Sequence, residues 1–389
     1  MRARCLPSPL SGAYAGEPLV TAAETLPLPL GQLPESIRRF CDPSGPAPAR
    51  LLAARGLVPV RGAEQIVLLA QLGADAVEDV RRTALQTLKG LPEAVVLPAC
   101  ETALHPAVLE LLASELTAED ALLRIVANSA ARDSTVEHVA RFASETVTER
   151  IAVNEQRLLR SPAIIEALYK NRNTRMSTAD RLIELAARHG LQLDGIPAYA
   201  AHVEAIKNEL IAEPSAEALP QDQVFAQSLA VDSDESAFED NDAEETDERV
   251  KTRFKPLSMA IVDMKKSEKL RLAMIGNRTA RTLLVRDRDK QVAMAAVSSP
   301  QMTVAEAAEI AKSKQVSEEI LRFVGNKKEF VKSAEVKHNL CFNSKCPVGI
   351  SLKFMGHLRA DELRRLANSR NVPGQVRSLA AQWLNRKKN

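Results

Sequence analysis

Residue types that bind metal ions cluster at one place in the sequence. The stretch contains His338, Cys341, Cys346 and His357. Thiolate sulfur and imidazole nitrogen are the ligands of structural zinc sites, but the two cysteines are one residue further apart than zinc knuckles normally allow. Cys341 falls on the apolar face of a predicted helix, and Cys346 precedes a proline, where a small residue suits a turn. Buried core or turn cysteines are therefore favoured, and a metal site is the alternative.

Recognisable catalytic motifs do not occur elsewhere in the chain. The segments GNRTAR and GNKKEF lack the second glycine and the GK[ST] ending of a phosphate-binding loop. Neighbouring carboxylates, such as those of Glu318 and Glu319, stand at predicted helix starts, where negative charge favours the helix dipole. We therefore predict a protein that is not an enzyme, with no catalytic residue, no cofactor and no bound metal.

The charged residues are distributed unevenly along the chain. The formal net charge is only +2, yet residues 211–250 hold 13 Asp or Glu against one Arg, and residues 251–389 hold 29 Lys or Arg against 12 Asp or Glu. A basic surface attracts polyanions with an affinity that falls as salt rises. The alternative is that the cations are spread over solvated helix faces. If they gather on one side, the polyanion-binding residues would be Arg278, Arg281, Lys327, Lys328, Lys337, Lys345, Arg364, Arg365, Arg370 and Arg377.

The elements that would position these residues are short helices. Aromatic residues make up 3% of the chain and there are 15 glycines, so Ala, Leu, Ile and Val must build the core. No segment keeps the period of a strand, so an all-α fold is expected. From Val77 four consecutive 28-residue units can be aligned, in which the fourth and eighth positions share one helix face. These positions are Val80, Val108, Val136, Ile164, Ala84, Leu112, Ala140 and Leu168.

A second repeat occupies the C-terminal part of the chain. A phrase of about two apolar helical turns running into Asn, Ser or Gly recurs there, which is typical of stacked short helices. Its copies end at Asn277, Ser299, Asn326, Asn343 and Asn371.

The segments that carry this phrase, from LRLAMIGNRTARTLLVRDRDKQVAMAAVSS to ADELRRLANSRNVPGQVRSLAAQWL, resemble the C-terminal half of a widespread group of uncharacterised bacterial proteins. Those proteins look like HEAT-like or leucine-rich-repeat-variant α-solenoids. The resemblance covers about residues 257–384. It implies a helical-repeat fold and does not imply any catalytic or binding residue.

Composition and helical periodicity predict two α-helical repeat arms joined by an acidic disordered linker. The resemblance implies that the arms are HEAT- or leucine-rich-repeat-variant-like solenoids. The predicted segments are a largely disordered Pro- and Gly-rich N-terminus at 1–60, an N-terminal helical-repeat domain at 61–212, the acidic linker at 213–250 and a basic C-terminal helical-repeat domain at 251–389. A short helix is expected near Ser36–Cys41. Within the linker, Val224, Phe225 and Leu229 are expected to form a docking turn.

These features favour a cytoplasmic interaction scaffold whose protein partners the sequence does not identify. Phosphate-backbone binding to nucleic acid by the basic C-terminal domain is the alternative function. Five cysteines at irregular positions do not suit a disulfide framework, the N-terminus lacks the apolar core of a signal peptide, and no membrane span is expected. We further expect the acidic residues from Asp232 to Glu248 to compete with an anionic ligand, so that their deletion raises polyanion affinity at low salt.

Overall fold

The computed structural model describes residues 25–207, 209–215, 217–230 and 257–386. Every regular element in these ranges is a helix, so the all-α prediction is confirmed. Among the described helices, none combines the length and the hydrophobicity needed to cross a membrane. Contacts divide the chain into two compact units, Met1–Thr135 (unit 1) and Val136–Asn389 (unit 2).

Unit 1 stacks its described helices in two layers. Their bounds are α1 Glu35–Cys41, α2 Ala47–Ala54, α3 Ala63–Leu72, α4 Glu78–Lys89, α5 Glu93–Glu101, α6 Pro106–Glu115 and α7 Glu119–Ala127, and α8 Asp133–Ala140 lies across the division. Helices α1, α3, α5 and α7 contact one another in that order, and α2 contacts α4. Short connections between antiparallel neighbours produce this alternation. Aliphatic side chains such as Ile66, Leu69 and Val108 are fully buried inside unit 1.

The N-terminal residues differ from the prediction of disorder. Residues 25–60 form α1, α2 and a short 3-10 helix at Leu30–Gln32. Leu28 and Ile37 are buried, and the side-chain amide of Gln71 exchanges two hydrogen bonds with the backbone of Leu28. The prolines that suggested disorder begin helices instead: Pro34 and Pro46 are N-caps, where a missing N–H costs no hydrogen bond. The disorder prediction is thus corrected for residues 25–60, while the short helix near Ser36–Cys41 is confirmed.

Unit 2 has described helices on both sides of residues 231–256, a stretch that we term the acidic segment. Before it are α9 Glu145–Ala152, α10 Glu155–Arg160, α11 Pro162–Lys170, α12 Met176–Arg188, α13 Tyr199–Ile206 and α14 Pro220–Ala230. After it are α15 Leu257–Asp263, α16 Lys266–Ile275, α17 Arg278–Leu284, α18 Lys290–Ser298, α19 Val304–Lys312, α20 Glu318–Asn326, a 3-10 helix at Phe330–Lys332, α21 Ala334–Phe342, α22 Val348–Met355, α23 Ala360–Asn368 and α24 Gly374–Arg386.

The helices after the acidic segment form two layers within unit 2. Helices α16, α18 and α20 pack side by side in a first layer, and α17, α19 and α21 in a second layer. Helix α22 continues the first layer, because Gly325 of α20 approaches it so closely that a Cβ there would lie 2.5 Å from Ile350 Cγ2. Helices α11 and α13 also contact α16, so helices from both sides of the acidic segment share one core.

Parts of the predicted division lie outside the described residues, namely 1–24 and 231–256. The division into four segments therefore stays a prediction. The expected competition between the acidic residues Asp232–Glu248 and an anionic ligand also stays a prediction. The 28-residue periodicity, in contrast, is confirmed at the level of burial: all eight predicted positions from Val80 to Leu168 are 1% exposed or less.

Two of the recurring residues, Ser299 and Asn343, begin a five-residue connection between helices, which we term a cap loop. Asn371 is the third residue of such a loop, whereas Asn277 is the N-cap of α17 and Asn326 is the last residue of α20. In each cap loop the side-chain oxygen of the first residue accepts a hydrogen bond from the N–H two residues later, and a new helix begins after the fifth. The cap loops are 42–46, 128–132, 171–175, 299–303, 313–317, 343–347 and 369–373. In six of these seven the fourth side chain is buried.

Asparagine cap residues also join helices of the same layer. The side-chain amide of Asn343, at the end of α21, donates to the carbonyl oxygens of Ala311 and Ser313 at the end of α19, at 2.7 and 2.9 Å. Asn128 and Asn171 make equivalent pairs of bonds to earlier helix ends. One asparagine thus satisfies two carbonyl groups that the end of an earlier helix would leave unpaired.

We expect Asn343→Ala to lower the free energy of unfolding by about 2 kcal/mol, because two buried or half-buried carbonyls lose their donor. Asn339→Ala is the matched control on the same helix, since its amide bonds only one carbonyl, that of Ala308. Urea denaturation followed by circular dichroism measures both. Equal effects of the two substitutions would contradict the role assigned to the cap residue.

Candidate binding cleft

A cleft of about 730 Å³ opens on unit 2 beside α14. Its walls are the start of α9, the cap loop 171–175, the start of α12 and one side of α14. The lining residues are Ser144, Glu145, Arg172, Asn173, Thr174, Arg175, Met176, Ala218, Asp222, Gln223, Phe225, Ala226, Leu229 and Ala230. A volume of this size accommodates a small molecule or a few residues of a peptide.

The cap loop 171–175 is folded around the side chain of Arg271 in α16. This side chain is completely buried, and its guanidinium donates to four backbone carbonyl oxygens at 2.8 to 3.2 Å. Those carbonyls belong to Tyr169, Asn171, Thr174 and Arg175. Tyr169 and Asn171 lie at the C-terminal end of α11, where the helix dipole is negative and stabilises the cation. Burial lowers the pKa of Arg271 to about 10, so the side chain stays charged at neutral pH.

A buried chain of hydrogen bonds holds α11, α12 and α13 together behind this loop. The hydroxyl of Tyr169 lies 3.0 Å from His202 Nδ1, and His202 Nε2 lies 2.7 Å from Asp180 Oδ1. A neutral imidazole protonated on Nε2 satisfies both contacts, because Nε2 then donates to Asp180 while Nδ1 accepts from Tyr169. Burial raises the pKa of Tyr169, which keeps its hydroxyl a donor. The His202 side chain is fully buried and does not line the cleft, so we assign it a structural role.

Polar contacts hold both ends of α14. The buried carboxylate of Asp222 accepts hydrogen bonds from the N–H and the hydroxyl of Ser177 at 2.7 and 2.8 Å. Asp222 therefore caps the N-terminus of α12, where negative charge is favoured. At the other end of α14, the Arg172 guanidinium donates to the carbonyl oxygen of Leu229.

Apolar contacts of α14 confirm the docking predicted within the linker, in part. Phe225 and Leu229 are 2% and 5% exposed, and the Phe225 ring lies over the Arg271 guanidinium at 5.2 Å. Val224 is 50% exposed, so its predicted participation is wrong. The register of a helix explains this difference, because residues 225 and 229 share one face whereas 224 points away from it.

Two hydroxyl oxygens in the cleft wall have no hydrogen-bond partner among the described residues. They are the Oγ of Ser144, which is the N-cap of α9, and the Oγ1 of Thr174, and both atoms are buried. Thr174 is 2% exposed and takes the fourth position of its cap loop, where Ala131, Val316 and Val372 are apolar. A buried hydroxyl without a partner costs free energy, so its presence requires a reason.

The predicted polyanion-binding residues do not form one patch. Arg281 is buried and bonds the carboxylate of Glu306, with side chains 6% and 3% exposed. Arg278 pairs with Glu309 and Arg364 pairs with Asp361 at the surface. The structure therefore excludes Arg281 as a surface contact, because its guanidinium already serves the interior of unit 2.

The remaining predicted cations lie at two ends of the helices. Lys345 and Arg370 belong to cap loops that follow α21 and α23, whereas Lys327 and Lys328 follow α20, which runs antiparallel to α21. A nine-residue helix separates these ends by about 13 Å. Arg377, in the first turn of α24, lies near Arg370. Lys337 in α21 and Arg365 in α23 complete the predicted set.

Sequence reasoning missed one cation of this set. Lys314 is exposed in the cap loop 313–317, in the same kind of connection as Lys345 and Arg370. No described carboxylate forms an ion pair with Lys314, Lys345 or Arg370. The carboxylates closest to Lys314 in sequence, those of Glu318 and Glu319, pair with Arg322 and Lys290. We call these three residues the basic loop edge. Aligning the cap loops SKQVS, NSKCP and SRNVP would have revealed it from the sequence.

The predicted cysteine and histidine cluster is not arranged as a metal site in the part of the chain that the structure describes. Within the described ranges no group of three or more His, Cys, Asp or Glu is arranged to hold a metal ion. Cys346 occupies the buried fourth position of a cap loop, and Cys341 Sγ donates to the carbonyl oxygen of Ser351 at 3.5 Å. His338 lies 4.0 Å from a Glu362 oxygen, and His357 is exposed. These contacts support the core and turn interpretation of both cysteines.

The described thiols are expected to be unreactive in the folded protein. Burial raises the pKa of Cys41 and Cys341 to about 12 and that of Cys100 and Cys346 to about 11. The thiolate fraction near pH 8 is then lower by about a hundredfold or more than in the unfolded chain. In a Cys5→Ser variant, a thiol-specific chromogenic reagent should label the four remaining cysteines only after denaturation. Fast labelling of the native variant would contradict their burial.

Comparison of the chain with known protein families, with curated proteins and with solved structures found no match. The resemblance to HEAT-like and leucine-rich-repeat-variant solenoids therefore stays an expectation from the phrasing of residues 257–384.

Proposed function

We propose that this protein is a non-catalytic scaffold that binds segments of other proteins on the surface of its stacked helices. The docking of α14 is the observation that carries the proposal. This short helix is held on the other helices of unit 2 by the Asp222 carboxylate and by the Leu229 carbonyl, which accepts a hydrogen bond from Arg172. The buried side chains of Phe225 and Leu229 add apolar contacts. Helix-in-groove recognition of a partner uses the same contacts between chains.

The layered helices suit such a function. Small aliphatic side chains fill their cores. The described polar clusters, such as Tyr169–His202–Asp180, lie in the interior. We place the scaffold in the cytoplasm, because the sequence has an odd number of cysteines and the described ones are free thiols.

Affinity capture with and without nuclease tests the proposal. We expect specific proteins to remain bound after nuclease treatment. Their capture should be lost in a Phe225→Asp, Leu229→Asp double variant, because these charges detach α14. It should also be lost in a variant with equivalent charges on the exposed face of α12. The matched control is Val224→Asp, because Val224 is already half exposed. Loss of every partner on nuclease treatment would contradict the scaffold.

The basic loop edge favours a second candidate function, binding of nucleic-acid phosphates. Lys314, Lys345 and Arg370 recur in equivalent connections and have no carboxylate partner among the described residues. Each phosphate contact contributes about 0.9 to the slope of log affinity against log salt. The triple substitution of these residues by Glu should therefore remove about three contacts and flatten the salt dependence. The matched control replaces Lys328, Lys332 and Arg359 by Glu, because these residues lie at the other end of the helices.

A further inference from the structure

The cleft beside α14 combines features that point to an anionic ligand. Arg172 is exposed on its wall, and its guanidinium makes one described hydrogen bond, to Leu229, which leaves most of its five N–H donors for other acceptors. The second lining guanidinium, that of Arg175, is paired with Glu145 through a 2.6 Å contact. Arg172 therefore supplies the cleft with a positive charge that no described carboxylate neutralises.

The beginning of α9 forms the floor of the same cleft. Ser144 is its N-cap but accepts no hydrogen bond from the helix, so the first N–H groups of α9 lack a side-chain cap. Helix N-termini bind negative charge through such N–H groups and through the helix dipole. The unpartnered hydroxyls of Ser144 and Thr174 stand beside this end, and Thr174 is almost completely buried. A ligand with several acceptor oxygens would satisfy both hydroxyls.

A carboxylate of the chain already caps the helix N-terminus next to that of α9. Asp222 lines the cleft, and its carboxylate caps the N-terminus of α12. This carboxylate accepts hydrogen bonds from the N–H and the hydroxyl of Ser177 and from the N–H of Leu219. The α9 end has the same kind of donors, and its first acidic residue, Glu145, is turned to Arg175. A carboxylate side chain is therefore the chemical group that fits beside it.

We propose that this cleft binds an acidic peptide segment of a partner protein, with one carboxylate received by Ser144, Thr174 and the start of α9 and a second by Arg172. The inference rests on the proposed scaffold function and specifies the partner chemistry. The cleft volume of about 730 Å³ suits a few residues of such a peptide and excludes a folded domain.

Thr174→Val is the decisive variant. It removes one hydroxyl and keeps the shape of the side chain, and deletion of a buried, unpartnered hydroxyl should leave the fold intact or stabilise it. If the hydroxyl serves only as an unpaired group in the wall, ligand binding is unaffected. If it receives a carboxylate, affinity falls by about tenfold, as for the loss of a charge-assisted hydrogen bond.

The experiment is a fluorescence anisotropy titration of the full chain with a labelled peptide of alternating Asp and Gly, compared with the same peptide carrying Asn for Asp. We expect the Asp peptide to bind more tightly than the Asn peptide. The affinity for the Asp peptide should fall about tenfold in both the Thr174→Val and the Arg172→Glu variant, and it should stay within about twofold in the Arg188→Glu variant. Arg188 is the matched control, because it is an exposed arginine of α12 paired with Glu184, so its substitution changes the net charge equally.

Equal weakening by Arg172→Glu and Arg188→Glu, or unchanged binding to the Thr174→Val variant, would overturn the proposal. Displacement of the peptide by millimolar inorganic phosphate would assign the cleft to a phosphate group instead. Binding that occurs only after deletion of Asp232–Glu248 would assign it to the chain's own acidic residues. Failure of these titrations while captured proteins survive nuclease treatment would remove the cleft assignment and leave the scaffold function in place.

Discussion

Replacing Arg271 by methionine is expected to lower the free energy of unfolding of unit 2 by about 3–5 kcal/mol. Methionine fills much of the space but donates nothing, so the four backbone carbonyls around the guanidinium lose their common partner. Each buried carbonyl left without a donor costs about 1–3 kcal/mol before relaxation. Arg271→Lys should retain part of the stability, because an ammonium still has three N–H donors. It should not retain all of it, because the ammonium cannot match the planar fork of the guanidinium.

Urea denaturation followed by circular dichroism measures this effect, and Arg188→Met is the matched control. Arg188 pairs with Glu184 on the exposed face of α12, with 63% of its side chain accessible, so its loss should change stability by less than about 1 kcal/mol. If Arg271→Met were no more destabilising than this control, the buried guanidinium would not organise the loop 171–175.

Arg281→Met is expected to have the second largest effect, a loss of about 3 kcal/mol at neutral pH. The substitution leaves the Glu306 carboxylate 3% exposed and without its cation. Burial by itself would raise the pKa of Glu306, but hydrogen bonds from the Thr303 N–H and hydroxyl and the charge of Arg281 lower the pKa below its ordinary value of 4.5.

The sign of the pH dependence follows from this lowered pKa. The stability that ionised Glu306 contributes is present above pH 4.5 and is lost as the pH falls through the lower, folded pKa. Without Arg281, burial favours the protonated acid, so the difference in stability between variant and parent should shrink as the pH falls below 4.5. Arg278→Met on the same helix is the control, since its ion pair is exposed and should contribute less than about 1 kcal/mol at any pH. A pH-independent loss for Arg281→Met would contradict the assignment.

The architecture could be predicted because helix packing repeats at regular sequence spacing. The eight positions of the 28-residue units and the Asn that ends the C-terminal phrase at Asn343 all have the burial or cap role that periodicity indicates. The prolines near Pro34 and Pro46 misled the prediction, because the same residue type favours loops and helix starts. Only the neighbouring apolar residues, such as Leu28 and Ile37, could have distinguished the two.

The candidate site could not be predicted in the same way. Its parts come from four separate elements, and Arg172 and Thr174 have no periodic signature. Thr174 is recognisable only after the cap loops are aligned, as a polar side chain where other loops have an apolar one. Arg281 and Lys345 have the same charge in the sequence, yet tertiary packing places one beside a buried carboxylate and leaves the other in solvent.

The direct packing of α11 and α13 on α16 brings together residues that are far apart in the sequence. The guanidinium of Arg271, for example, donates to the carbonyl oxygen of Tyr169, which lies 102 residues earlier. Contacts of such high sequence separation form only after a long loop has closed, and proteins rich in them fold slowly. Unit 2 should therefore fold more slowly than a stack whose helices contact only their neighbours in sequence.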